Sequence, residues 1–250
     1  MPIDWIDEFN IIITNLKTTT PIKVSNDYYQ MSVFAWNSII ESPFEGAIGD
    51  VSGACICGDK NNNRIMVLTI PSLEFEYEHI HRYSVIPHEY FHAYQMGLDN
   101  QERGEIGIRI KWLIEGTAAS FESLYIQENY GYNYFLDAQT KVDISVSEKP
   151  EIFESYEASW QEDENYASSV FMVLVLTKEL QKQNFSEEEA FRLIYYDFWS
   201  HPQVSQNDWA SAFEEVFSIK VEAFYEILQN YPNDVSKVLP SDDIKLGNIF

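Results

Sequence analysis

The segment His88-Glu89-Tyr90-Phe91-His92 narrows what this chain can fold into more than any other. It fits H-E-x-x-H, a pattern with three fixed positions in five. On a helix, residues four apart differ by about 40° of rotation and roughly one turn of rise. His88 and His92 then present two imidazoles to one point, at the separation a tetrahedral metal needs. Glu89 lies one position round, able to reach a water at that point without ligating the metal. With 5 histidines in 250 residues, chance yields on the order of 0.01 such matches per chain. The surroundings therefore decide.

Ser84 reads as an N-cap for this helix, which places Pro87 in the first turn, where a missing N–H costs no hydrogen bond. Gly97 is positioned to end it. Two histidines make an incomplete zinc site, which needs a third protein ligand and leaves the fourth place to water. A third histidine six residues after His92, with glycine midway, is excluded, because Leu98 and Gln95 hold those positions. Asp99, Glu102 and Glu105 fall in the loop after the helix, too near its end to fold back easily. Glu115, in KWLIEGTAAS, lies on the next expected helix, from about Ile110 to Asn129. An antiparallel crossing would bring it to the histidines, and the small residues Gly116, Ala118 and Ala119 would let the helices approach closely.

The rest of the chain organises around this site. Sixteen Lys and Arg against 40 Asp and Glu give a formal charge of −24. That surface repels phosphate backbones, so nucleic acid is not an expected partner. The opening MPIDWIDEFN carries no basic region, and VFMVLVL from Val170 is too short to span a bilayer. Cys55 and Cys57, the only cysteines, read as small apolar thiols on a buried strand, too close along one chain for an ordinary disulfide. A cytoplasmic location fits these features.

Asp4–Ile13 and Asp27–Ile40 read as helices. Val51–Cys57 and Arg64–Ile70 read as strands of a small sheet, separated by the turn signal GDKNNN. Further helices are expected at about Glu162–Lys182, Ser186–Trp199 and Asn207–Gln229, with Pro150, Pro202 and Pro232 in the breaks. The fold class is α+β, a small N-terminal sheet followed by a mainly helical C-terminal half. No repeat or linker divides it, so a single domain is expected. Residues of about 1–100 carry the sheet and the H-E-x-x-H helix, and about 101–250 are helical.

HEYFH followed by WLIEGTA resembles the gluzincin metallopeptidases, the thermolysin and aminopeptidase N-like group, with a zincin-like catalytic domain. NYASSVFMVLVL is similar to that family's helix opened by a tyrosine that supports the oxyanion. NDWASAFEEVFSIKVEAFYEILQNY resembles a closing element of peptidase MA-like domains, with Ser218 where glycine is usual. The resemblance spans roughly residues 50 to 232. It implies Zn2+ held by His88, His92 and Glu115, Glu89 as general base, and Tyr166 as oxyanion donor, with Tyr156 the nearest alternative. Two departures stand out. Ala119 occupies the place of an aspartate that orients a ligand histidine in many gluzincins. The strand with which aminopeptidases grip a free N-terminus is absent.

The resulting expectation is a zinc metallopeptidase acting on a peptide or protein substrate. The Arg64–Ile70 strand would offer an edge on which an extended peptide pairs. The acidic segment Glu148–Glu164 would favour a cationic substrate. Alternatives are a catalytically silent zinc- or partner-binding domain, and a zinc hydrolase of a non-peptide amide or ester. His79 and His81 read as solvent-facing or locally bonded, and His201 as a loop residue.

Overall fold

The computed structural model describes residues 1–22, 31–58, 64–98, 108–156 and 162–250. It is mixed α+β, mostly helical with a three-stranded sheet. Its contacts separate two compact units, Met1–Gly104 and Glu105–Phe250.

In the first unit, α1 (Ile3–Thr19) buries Trp5, Ile12 and Leu16. It packs on α2 (His81–Leu98), which carries the H-E-x-x-H motif. Two long-range hydrogen bonds anchor this packing. Trp5 Nε1 donates to the Arg82 carbonyl at 2.9 Å, and Tyr90 donates to the Thr20 carbonyl at 2.9 Å.

The sheet comprises β1 (Ser32–Asn37), β2 (Ala54–Gly58) and β3 (Arg64–Ile70), in the order β1-β3-β2. Here β3 runs parallel to β1 and antiparallel to β2. Ile65, Met66, Val67 and Leu68 are all buried, so both faces of β3 are covered. That is why Ile65 to Leu68, within RIMVLTI, form an apolar run with no alternation. One face carries Ile65 and Val67, with Trp36, Ile48 and the partly buried Phe34, Phe44, Cys55 and Cys57. β3 and β2 also pack against α2.

Four expectations are corrected in this unit. Ser32–Asn37 is a strand, not part of a helix, because pairing along β3 outweighs a local helical reading of a sequence rich in aromatic and β-branched residues. Asp27–Gln30, the start of that expected helix, lies outside the described residues. The strand Arg64–Ile70 is central and paired on both sides, so it has no open edge for a peptide. Cys55 and Cys57 are joined as a disulfide, with Cα atoms 5.8 Å apart. Residues i and i+2 share a strand face, and this spacing falls inside the usual disulfide range. The pair therefore gives no free-thiol support to the expected cytoplasmic location. Finally, α2 begins at His81, not after Ser84, and Gly97 lies inside its last described turn. Pro87 therefore sits in the helix interior, with no N–H to give to the Tyr83 carbonyl. Burial of Ser84, Val85 and Ile86 favours helix there regardless.

The second unit is built on α3 (Lys111–Tyr130) crossing α4 (Glu162–Lys182). Gly131 ends α3 in the left-handed conformation (φ 63°), its N–H bonded to the Gln127 carbonyl. Beyond α4, Ser186 and Glu189 form a reciprocal capping box at the start of α5 (Glu187–Arg192), which continues as a π-helical turn, Leu193–Asp197. Asn207–Gln229 is two helices, α6 (Trp209–Phe217) and α7 (Val221–Leu228), not one. Ser218 breaks them at φ 55°, a left-handed position where glycine is the usual residue. Trp112 of α3 stacks on Phe224 and meets Phe213 edge-on, which seats the start of α3 in this helical layer.

Among the described residues, no helix is long and apolar enough to cross a membrane.

Candidate metal centre

Three of the five expected site residues lie on two turns of α2. Its interior is almost wholly buried, with His88 8% and Glu89 4% exposed. The imidazoles of His88 and His92 meet edge to face, ring centroids 4.8 Å apart, and their Nε2 atoms are separated by 3.1 Å. A tetrahedral zinc bound at about 2.0–2.1 Å to each nitrogen would set them at roughly 3.3 Å. The pair thus fits a shared metal on its own side of the site. On the far side of the His92 ring, Nδ1 lies 2.8 Å from Oε1 of Gln95, whose side chain is fully buried.

Glu115 belongs to the second unit, on the second turn of α3, and is 8% exposed. Lys111, one turn earlier, donates to its Oε1 at 3.2 Å. The lysine side chain is 43% exposed, so solvent screens the pair.

The residue after Glu115 explains how this part of α3 is set. A Cβ added to Gly116 would stand 2.5 Å from the carbonyl oxygen of Ser169 on α4. Only glycine allows that approach. The Ser169 hydroxyl bonds the Asn165 carbonyl at 2.8 Å and the Tyr156 phenol at 3.2 Å. Small buried residues on both helices, Gly116 and Ala119 on α3 and Ala167 to Ser169 on α4, suit a crossing in which Gly116 meets the Ser169 backbone.

Tyr166 is the fifth residue of α4, half-buried, and three positions before Ser169 on the same side of the helix. Tyr156, its competitor, is the phenol hydrogen-bonded at the crossing.

The other histidines hold local structure. His79 Nδ1 accepts the His81 backbone N–H at 3.1 Å, and His81 Nδ1 meets Glu74 at 2.8 Å. His201 caps a short helix through Gln203 N–H and pairs with Glu215 at 3.3 Å. Within the acidic segment, Asp163 pairs with Lys141 and Glu154 accepts from Tyr225. Asp99, Glu102 and Glu105 lie outside the described residues.

Gln95 is the residue that sequence reasoning missed. Helical spacing puts it three positions after a ligand histidine on the same face, but does not say which ring nitrogen it meets.

The chain matches no family model, no curated protein and no solved structure.

Proposed function

We propose that this chain is a zinc-dependent peptidase of gluzincin type on a zincin-like fold, with His88, His92 and Glu115 as ligands. One observation carries the reading: a ligand atom from each of these three residues falls within 4.8 Å of the others. Two neutral imidazoles and one carboxylate are the donor set of a catalytic zinc, which leaves one position open.

When bound, zinc lowers the pKa of water and polarises a carbonyl. The chain's own residues do the rest. Glu89, next to a ligand and buried, accepts the proton of the attacking water and passes it to the leaving amine. Tyr166 donates to the carbonyl oxygen as negative charge gathers there. The substrate is a peptide or protein, and the net charge of −24 favours cationic sequences near the cut. Since β3 is paired on both sides, any strand-like pairing of substrate falls to the outer edges, β1 or β2.

The test is digestion of a mixed peptide library, read by mass spectrometry, with and without a chelator. Cleavage is expected to disappear with the chelator and in a folded Glu89→Gln variant, whose amide cannot accept the proton. A parent that holds zinc yet cleaves nothing would replace this reading with a silent zinc-binding domain. Cleavage by Glu89→Gln at the parent rate would remove Glu89 from the chemistry. Cuts without enrichment of Lys or Arg nearby would end the cationic preference.

A further inference from the structure

We infer that Gln95 is a positioning residue for His92, holding the imidazole in the tautomer that frees Nε2 for the metal. The inference rests on the proposed metal site but makes its own claim about the metal-free protein. A neutral imidazole carries one ring proton, on Nδ1 or on Nε2, and its partner decides which. At His92 the partner of Nδ1 is the amide oxygen of Gln95, 2.8 Å away. A carbonyl oxygen can only accept, so the proton stays on Nδ1 and Nε2 keeps its lone pair as an acceptor or ligand atom.

The reversed amide would turn an NH2 donor toward Nδ1 and force the proton onto Nε2, which would block the ligand atom. Only one amide orientation is therefore compatible with a metal at Nε2. Gln95 is 0% exposed, so water does not compete for the contact. Both residues lie on α2, one turn apart, so the helix sets the geometry.

A second consequence follows within the same pair. The two Nε2 atoms are 3.1 Å apart, a hydrogen-bond distance that needs one proton between them. With the His92 proton held at Nδ1, His88 must supply it from its own Nε2. In the absence of metal, His88 is the donor and His92 the acceptor. An uncharged amide thus performs the orienting work that carboxylates or carbonyls perform at many histidine-ligated metals. It does so without adding another negative charge to an acidic chain.

The experiment uses the full chain, stripped of metal and labelled with 15N at histidine. Long-range proton–nitrogen correlation spectra, recorded above the histidine titration range, report the tautomer of each ring. Parallel zinc titrations against a chromophoric chelator compare the parent with Gln95→Leu and Gln95→Glu. The expected parent pattern is His92 protonated at Nδ1 and His88 at Nε2. Gln95→Leu should lose the His92 preference and bind zinc about 10- to 100-fold more weakly with an unchanged far-UV spectrum. Gln95→Glu should keep the Nδ1 proton and bind at least as tightly as the parent.

A parent His92 protonated at Nε2 overturns the inference. So does a folded Gln95→Leu that binds zinc as the parent does. Should Gln95→Leu fail to fold, the parent tautomer and the Gln95→Glu titration decide. Should the parent bind no zinc, the metal site fails as a reading, while the tautomer spectra still settle what Gln95 does.

Discussion

The Nε2 atoms of His88 and His92 stand 3.1 Å apart on consecutive turns of one buried helix. A tetrahedral zinc shared by the two rings would set these atoms at roughly 3.3 Å. The expected outcome of metal analysis on purified protein is about one zinc per chain. His88→Ala and His92→Ala should each lower that occupancy sharply, and so should Glu115→Ala. Full occupancy in Glu115→Ala would take Glu115 out of the ligand set. The search would then turn to the carboxylates of Asp99, Glu102 and Glu105.

Gly116→Ala tests the crossing that seats Glu115. The added methyl carbon meets the Ser169 carbonyl oxygen at 2.5 Å and its carbon at 2.7 Å. Both are backbone atoms, so no side-chain rotation relieves the clash, and the helices must separate. Overpacking of this kind typically costs about 1–3 kcal/mol. Thermal unfolding should shift downward, with weaker zinc binding if the displacement reaches Glu115. Unchanged melting would mean that α3 and α4 are not in such close contact in solution.

The legibility of the fold divides along local and non-local lines. Helices with strong punctuation could be read closely: Glu162–Lys182 matches its expectation, and Lys111–Tyr130 differs by one residue at each end. The helix expected from about Ser186 does start there, and the capping box of Ser186 with Glu189 that opens it is a purely local device. The errors needed a partner to be seen. Ser32–Asn37 is a strand only because β3 lies beside it. The central position of β3 is legible in Ile65 to Leu68, since an apolar run without alternation implies burial on both faces and so argues against an open edge. Ser218 stands where the similar element has glycine, and its left-handed φ of 55° is the conformation that glycine position implies.

At the candidate site, the helical spacing of His88, Glu89 and His92 needed no tertiary information. Glu115 could be named from its place on the next expected helix, but nothing local ties it to the first, and the resemblance supplied the ligand set. Gln95 required knowledge of which ring nitrogen faces which neighbour, and that emerges only from side-chain placement.

Asp197→Asn addresses stability against pH. Asp197 is half-buried on the π-helical turn, and desolvation raises its pKa above the ordinary value, with Arg192 opposing from one turn away. The folded state then holds this proton more tightly than the unfolded chain does. Its stabilising effect is present in full below the unfolded value of 3.8 and is lost as pH rises through the raised folded value. At neutral pH the buried charge is a burden. Asp197→Asn should therefore melt higher than the parent at pH 7, with the gain shrinking toward pH 3. A variant less stable at pH 7 would show that pairing with Arg192 outweighs desolvation.

Tyr166 is the residue whose role depends most on chemistry and least on packing. An acyl-transfer site with one metal leaves room for a second group to stabilise the developing oxyanion. Tyr166 sits half-buried in the opening turns of α4, three residues before the Ser169 contact that fixes this helix against Gly116. Tyr156, whose phenol accepts from Ser169 at 3.2 Å, competes for the assignment. Loss of one oxyanion donor typically costs on the order of 10²–10³ in kcat. Tyr166→Phe should fold, hold zinc and keep its KM, yet turn over more slowly by about that factor, while Tyr156→Phe stays close to the parent. A Tyr166→Phe kcat within twofold of the parent would return this residue to packing. The same loss appearing in Tyr156→Phe would move the oxyanion role to that phenol.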